Sequence, residues 1–264
     1  MQKSNIILTF ASMMRKAPLI AAMLLVLANC GGRKTLADYE LSLDSIVVDT
    51  SVSVSKDANA PRCALHLNVK VFSGPNAEQM NDSVLRGGIL PADYLSLTDD
   101  KIPVREAVDS FIKRYFADYR AFYGKVYAEE SGAGTADLSY RVDTKVEMLR
   151  SGTINYLASI TDQSGASATT YTLVHNLDAE TGRILHLWDL FGSDQLSTLG
   201  QDIGEALASQ LELSDTIALR EQGYFVHTPF YAPDNYLVDD DGVVFIFVPG
   251  EIAMKEEGEI RVKF

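Results

Sequence analysis

The stretch 171–191, YTLVHNLDAETGRILHLWDLF, constrains the fold more than any other part of this chain. Its first half alternates. Tyr171, Leu173, His175 and Leu177 fall on one face of a strand, and Thr172, Val174, Asn176 and Asp178 on the other. Ala179-Glu180-Thr181-Gly182 reads as a tight turn, with Gly182 supplying the positive φ that a short hairpin loop needs. Residues 183–187 read as the return arm. Trp188-Asp189-Leu190-Phe191 then reads as a buried aromatic corner ahead of a helix capped by Ser193.

The segments on either side follow the same grammar. Residues 39–56 and 62–73 alternate and are rich in β-branched residues, as strands are. Residues 74–98, with Gly-Pro, Gly-Gly and Leu-Pro steps, read as loop with short elements. A helix is expected from Pro103, with Val108, Phe111, Ile112, Tyr115, Tyr119 and Phe122 recurring at helical spacing and Gly124 as its stop. Residues 131–135 (SGAGT) read as a link. Tyr140, Val142, Thr144, Val146 and Met148 mark a half-exposed strand, and Ile154, Tyr156, Ala158 and Ile160 its return partner. Residues 162–168 read as a small-residue loop leading into the hairpin.

Further on, Leu196, Leu199, Ile203, Leu207 and Leu211 predict an amphipathic helix, and a second short helix runs from Ser214 to Gly223. Strands at 236–238 and 243–248 flank Asp239-Asp240-Asp241-Gly242, the latter strand apolar on both faces and so central in its sheet. Ile260, Val262 and Phe264 mark a last strand. Strands, helix, strands, helices, strands: the order predicts an α+β fold, mainly antiparallel sheet with helices packed on it.

The N-terminus carries a different signal. Lys3, Arg15 and Lys16 precede the apolar run 17–28 (APLIAAMLLVLA), which is short of the ~20 residues needed to span a bilayer and has the charge asymmetry of a secretory signal. Met13 or Met14 is an alternative start that would give a compact signal. The run ends at Leu27-Ala28-Asn29-Cys30, which resembles a bacterial lipobox with Cys30 as the lipidated mature N-terminus; Asn29 departs from the usual small residue at its position. Acyl chains add about 0.8 kcal/mol per buried CH₂, so a multiply acylated Cys30 would hold firmly to a membrane. No acidic residue follows Cys30 to mark inner-membrane retention, so an outer-membrane envelope lipoprotein is expected. The organisation predicted is signal peptide 1–29, tether 30–38, an N-terminal α+β region 39–150 and a C-terminal domain 151–264.

With 47% hydrophobic and 22% charged residues the mature chain is expected to be globular. Its net charge is −13, and removing residues 1–29, which hold three bases and no acid, leaves −16. That balance repels nucleic acid and favours basic partners. With Cys30 lipidated, Cys63 has no cysteine partner; it alternates with Leu65, Leu67 and Val69 and reads as a small buried hydrophobe.

Residues 151–191 (SGTINYLASITDQSGASATTYTLVHNLDAETGRILHLWDLF) and 235–258 (NYLVDDDGVVFIFVPGEIAMKEEG) resemble the RsiV-like domain of unknown function, and the region before them is similar, more loosely, to the PdaC-type domain that usually precedes it. The resemblance implies an α+β fold in an extracytoplasmic protein. It also implies a lysozyme-binding or cell-wall-associated role, since relatives include a lysozyme-binding anti-sigma factor and regions attached to peptidoglycan deacetylases. This chain has Ser164-Gly165-Ala166-Ser167 where the family usually carries Gly-Gly-Ala-His, and Gly250-Glu251-Ile252-Ala253 followed by Met254-Lys255 where it carries an aromatic residue, Glu-Ile-Ala and then Pro-Tyr. An anti-sigma role is not expected, because few residues precede the apolar run.

No metalloprotease, nucleotide-binding, thiol-redox or serine-hydrolase motif is present, so no catalytic residue, metal or cofactor is predicted. His66, His175, His186 and His227 are scattered. His66 falls on a polar strand face and His175 on an apolar one, as a hydrogen-bonded core histidine would. His186 and Asp189 fall on opposite faces of the expected arm, which argues against a catalytic pair. Asp239-Asp240-Asp241-Gly242 lacks the alternating ligand pattern of a Ca²⁺ loop and reads as a turn. Glu251 reads as a helix-start acid, and Glu256, Glu257 and Glu259 as a solvated face. The expected function is therefore a lipid-anchored envelope protein with a non-enzymatic macromolecule-binding domain, with lysozyme or another basic wall hydrolase as partner. An enzyme or accessory domain acting on cell-wall glycan is the alternative, and it requires His175, His186, His227, Asp189 and Glu251 to share a cleft.

Overall fold

The computed structural model describes residues 34–90, 102–129, 137–239 and 241–264. The expected signal segment, Cys30, the expected tether before Lys34, residues 91–98 of the expected loop, the 131–135 link and Asp240 lie outside them. Five strands form one sheet in the order β1-β2-β3-β4-β5: β1 (Ser42–Ser53), β2 (Arg62–Ser73), β3 (Leu138–Met148), β4 (Thr153–Ser164) and β5 (Ser167–Asp178). All neighbours are antiparallel except β2 and β3, which are parallel. The parallel pair follows from the long connection between them, which carries helices α1 (Ala77–Val84) and α2 (Val104–Glu129) across one face of the sheet. The class predicted from element order is the class observed.

Period-2 patterning decides which face the helices cover. Leu65, Leu67, Val69, Val142, Ile154, Tyr156, Ala158 and Ile160 all point to that side and are at most 1% exposed. Val108 and Phe111 of α2 and Met80 and Val84 of α1 close over them. Cys63 lies in a satellite cluster with Val52 and Tyr119; burial pushes its thiol up to about 11, so it is inert at neutral pH. Asn81 clips α1 to the end of β2 by accepting from the Phe72 N–H at 2.8 Å and donating to the Phe72 carbonyl at 2.9 Å. Helix α2 runs through Gly124 to Glu129 instead of stopping there. Glycine costs a helix interior only ~1 kcal/mol, and no turn chemistry follows it.

The expected hairpin is reorganised. Residues 171–178 are the second half of β5 and pair with β4, and the segment 162–168 is strand up to a two-residue turn, Gly165-Ala166, with Ser164 opposite Ser167. The return arm 183–187 contracts to a single bridge, Leu177 with Ile184. Gly182 keeps its role: its φ is +71, and a Cβ there would stand 2.7 Å from the Asn76 Cβ. The boundary drawn at 150/151 falls in the turn between β3 and β4, so one sheet continues across it.

Past the bridge come α3 (Leu187–Leu190), α4 (Ser193–Gln210) and α5 (Thr216–Glu221), then a three-stranded antiparallel sheet of β6 (Tyr236–Val238), β7 (Val243–Phe247) and β8 (Ile260–Lys263), with β7 central. Two capping assignments move by one residue. Gly192, not Ser193, is the N-cap of α4, its N–H bonded to Gln195 Oε1 at 3.0 Å. Asp215, not Ser214, caps α5, because a carboxylate reaches both free amides, Ile217 and Ala218, at 2.9 Å. This half has its own core of Leu199, Ile203, Leu207, Leu219, Phe225, Phe245 and Phe247.

The two sheets meet at the open edge of β5. An unpaired edge strand exposes backbone donors and acceptors, and here side chains occupy them. Asn235 accepts from the Val174 N–H at 2.9 Å and donates to the Thr172 carbonyl at 2.8 Å. Glu259 accepts from the Thr172 N–H at 2.5 Å and is held by Arg261 at 2.7 Å. The cross-strand pair Asn155 and Asn176 sends amide N–H groups to the carbonyls of Val238 (2.6 Å) and Tyr236 (2.7 Å) in β6. Glu259 is thus a joint between the sheets and not part of a solvated face.

Candidate functional site

The edge of β5 also bounds a cavity of about 260 Å³, lined among others by Gly87, His175, Asn176, His186, Asp234 and Tyr236. Gly87 belongs to the wide turn that ends α1, and a Cβ there would stand 2.2 Å from the His175 ring, so only glycine lets the ring lie where it does. His175 Nε2 is buried with no hydrogen-bond partner among the described residues. The expected hydrogen-bonded histidine is present, its ring packed on Gly87 and bonded to that residue's backbone, but it lies at the wall of a cavity and not in the closed core. Burial lowers its pKa, the backbone of Gly87 offsetting part of the effect. The folded state therefore favours neutral His175, while the unfolded chain takes up a proton as pH falls through the ordinary histidine value near 6.5. Stability is then expected to be full above that value and to fall as pH drops from it toward the lower folded-state value. Urea midpoints at pH 7.5 and 5.5 check this: the wild type should lose more than His175→Asn, and equal losses would contradict it.

His186 is the N-cap of α3, and its N–H donates to Asp189 Oδ2 at 2.9 Å. Arg183 grips the same carboxylate through Nη1 at 3.4 Å and Nη2 at 3.2 Å. The His186 amide first, and Arg183 after it, hold the Asp189 carboxyl below the usual carboxylate range. The backbone here is a helix start, so the strand-face argument that separated His186 from Asp189 does not apply. The two meet through the His186 main chain, in a cap.

Trp188 departs furthest from expectation. It is 64% exposed, not buried, and its ring stacks on His186 with centroids 4.1 Å apart and planes 18° apart. The physical reason is the cap: with His186 at the N-cap and Asp189 turned back to it, Leu187 takes the inward position of the short helix and Trp188 the outward one. Asp189, held by the His186 N–H and by Arg183, ties the turn that carries the two rings.

The other residues weighed from sequence lie elsewhere. His66 pairs with Asp49 at 3.1 Å on the uncovered sheet face, and His227 is exposed. Glu251 starts no helix; it accepts from Tyr231 Oη at 2.6 Å and from the Val248 N–H at 2.7 Å, tying down the bend after β7 and raising the Tyr231 pKa, to which burial contributes most. Asp239 spends Oδ1 on the amides of Asp241 (2.8 Å) and Gly242 (2.7 Å), as a turn residue does. No group of three metal-ligating side chains occurs among the described residues. Of the five residues an enzyme would need together, the structure brings His175 and His186 to one cavity, while His227, Asp189 and Glu251 do not line it.

These elements define an α+β protein with two sheets locked edge to edge, a small recess at the joint and an exposed aromatic platform beside it. Residues 188–264 match the model of a family described as a protein of unknown function, DUF3298. The match begins at Trp188 itself. By fold the chain is similar to a member of the DUF3298 family from Bacteroides fragilis NCTC 9343, with 21% identity over 85% of this chain and 90% of that one and a TM-score of 0.71. It is also similar to a DUF3298 family protein from Pseudomonas aeruginosa PAO1, at 13% identity over 84% and 89% with a TM-score of 0.52. No curated protein matches the sequence.

Sequence reasoning missed the recess and the edge joints. Asn155 between Ile154 and Tyr156, Asn176 beside Leu177, and Asp234-Asn235 ahead of β6 were the available signals.

Proposed function

We propose that this chain is a lipid-anchored protein of the bacterial cell envelope, held at the outer membrane through Cys30, whose folded part binds another macromolecule without transforming it. The observation that carries the reading is the Trp188–His186 platform. A tryptophan 64% exposed and stacked on His186 is apolar area kept in water at a cost and presented for contact. The resemblance to an RsiV-like domain preceded by a PdaC-type region supports an extracytoplasmic partner. A mature charge of −16 supports a basic one, with lysozyme or a similar wall hydrolase as the first candidate.

Two measurements test this. The full-length chain should fractionate with membranes, and Cys30→Ser should release it to the soluble fraction; an unchanged distribution would remove the anchor. The solubilised protein should retain lysozyme at about 20 mM salt and release it by about 300 mM, where the Debye length falls to roughly 6 Å. No retention at low salt would remove that partner. The shared recess of His175 and His186 favours a second reading, an enzyme or accessory domain working on cell-wall glycan.

A further inference from the structure

We propose that the outer edge of β1 is a docking site for an extended segment of a basic protein, added as a further strand with a Lys or Arg opposite Asp49. The observation behind it is a contrast between strand edges. On β5 the outward backbone groups are taken by Asn235 and Glu259. On β6 the outward carbonyls of Tyr236 and Val238 receive Asn176 and Asn155. On β8 the side-chain amide of Gln210 donates to the Arg261 carbonyl at 2.8 Å and accepts from the Lys263 N–H at 3.4 Å. Edges are blunted in such ways because unpaired backbone groups attract a further strand.

The edge of β1 is closed only at its ends. The strand pairs with β2 on one side, and no described strand lies on the other. Just past it, the Val54 N–H donates to the Pro61 carbonyl at 3.0 Å in the same register. Even-numbered residues of β1 therefore bond to β2, and odd-numbered ones turn N–H and C=O outward. Asp44 Oδ1 accepts from the outward Ser45 N–H at 2.7 Å, and Arg120 Nε donates to the outward Ser53 carbonyl at 3.3 Å. Between these plugs, no described side chain takes the backbone groups of Val47, Asp49 and Ser51. Val47 is 71% exposed, and the Asp49 side chain 79%. An open length with closed ends suits a short extended segment.

Charge selects the occupant. Asp49 stands at the centre of the open length, with His66 Nδ1 behind it at 3.1 Å. The nearby cations are held by hydroxyls, Lys70 by Ser45 at 2.8 Å and Arg62 by Ser51 at 2.7 Å. Opposite charges directly across a ladder attract, and like charges repel. A second copy of this chain is disfavoured on that ground. The twofold pairing that uses Val47, Asp49 and Ser51 sets Asp49 against Asp49 of the copy. Every other twofold register over this stretch calls on Ser45 or Ser53, whose outward groups are already taken. The net charge of −13 adds repulsion between copies.

β1 and β5 are opposite edges of the sheet, so the test involves neither Trp188 nor lysozyme. Full-length ¹⁵N-labelled protein in neutral detergent is titrated with the peptide acetyl-TVTKTVT-amide and with its Glu-centred counterpart, acetyl-TVTETVT-amide. The Lys peptide should bind with a Kd on the order of 0.1 mM. At about 1 mM it should slow exchange of the Val47, Asp49 and Ser51 amides about tenfold, with Ile46, Val48 and Thr50 little changed. The Glu peptide should bind about fivefold more weakly, and Asp49→Lys should reverse the order. Val47→Pro removes an outward N–H and leaves the β2 ladder whole, so it should unfold near the wild-type temperature and lose the peptide. No slowing by the Lys peptide up to about 1 mM, ten times the expected Kd, or an order of peptides unchanged by Asp49→Lys, would overturn the proposal. So would protection of the same amides without peptide that grows with protein concentration, since a second copy would then fill the edge.

Discussion

Truncating Phe225 to alanine should destabilise the protein by about 3–5 kcal/mol, the cost of emptying a large, closed aromatic site. Phe225 is fully buried, and its ring meets Phe230, Phe247 and Tyr231 edge-on at 4.9, 5.5 and 6.1 Å between centroids. Its backbone is locked on both sides, the N–H donating to the Ile252 carbonyl at 2.6 Å and the carbonyl accepting from Arg220 Nη1 at 2.5 Å. The neighbours therefore have little freedom to collapse into the space. Arg220 adds a second constraint, its guanidinium lying 4.5 Å from the centroid of the Phe230 ring. Phe225 also has φ +52, a conformation that costs a non-glycine residue about 1 kcal/mol. Phe225→Gly should thus be no less stable than Phe225→Ala, against the usual order of the two. Urea unfolding of the three proteins measures both statements. A loss under 1 kcal/mol for Phe225→Ala would mean that the C-terminal core is not packed around this ring.

The second large effect is expected at Asn235. Its amide takes the place of an absent strand, matching one donor and one acceptor on β5. Alanine leaves the Val174 N–H and the Thr172 carbonyl without those partners at the joint between the sheets, and each such loss costs about 1–3 kcal/mol, so about 2–6 kcal/mol in all. Aspartate does not rescue the pair, because it can accept from Val174 but has no proton for Thr172. Hydrogen exchange gives the local readout. The Val174 amide should exchange much faster in Asn235→Ala, while amides of the β2–β3 ladder, far from the edge, should change only as much as global stability does. Uniform acceleration across both sheets would show that Asn235 acts on the whole fold and not on the joint.

The class of fold was legible because strand periodicity survives wherever one face is buried. Alternation in 62–73 and 140–148 marked β2 and β3 closely, and the apolar run at 243–248 marked a central strand. The failures came where a local pattern had two physical readings. Residues 183–187 alternate like a strand, but the helix start at His186 claims the chain first and leaves one bridge. Trp188 is large and apolar, so burial was the natural expectation; capping geometry, which hydropathy does not carry, turned it outward. Glu259 sits among other acids at the surface in sequence, yet its partner is a backbone amide 87 residues away. Such long-range bonds leave no trace in spacing. The recess was invisible for the same reason, because its walls come from the end of α1, from β5 and from the segment before β6.

The claim on which the functional reading rests is that Trp188 is where a partner lands. The chain has a single indole N–H, so one resonance reports on it in a ¹H–¹⁵N correlation spectrum of labelled protein. On addition of unlabelled lysozyme at low salt that resonance should shift or broaden, together with amides of residues 183–190, and should return as salt is raised to about 300 mM. An indole resonance that stays in place while lysozyme perturbs other parts of the protein, or a spectrum that lysozyme does not change at all, would contradict the account.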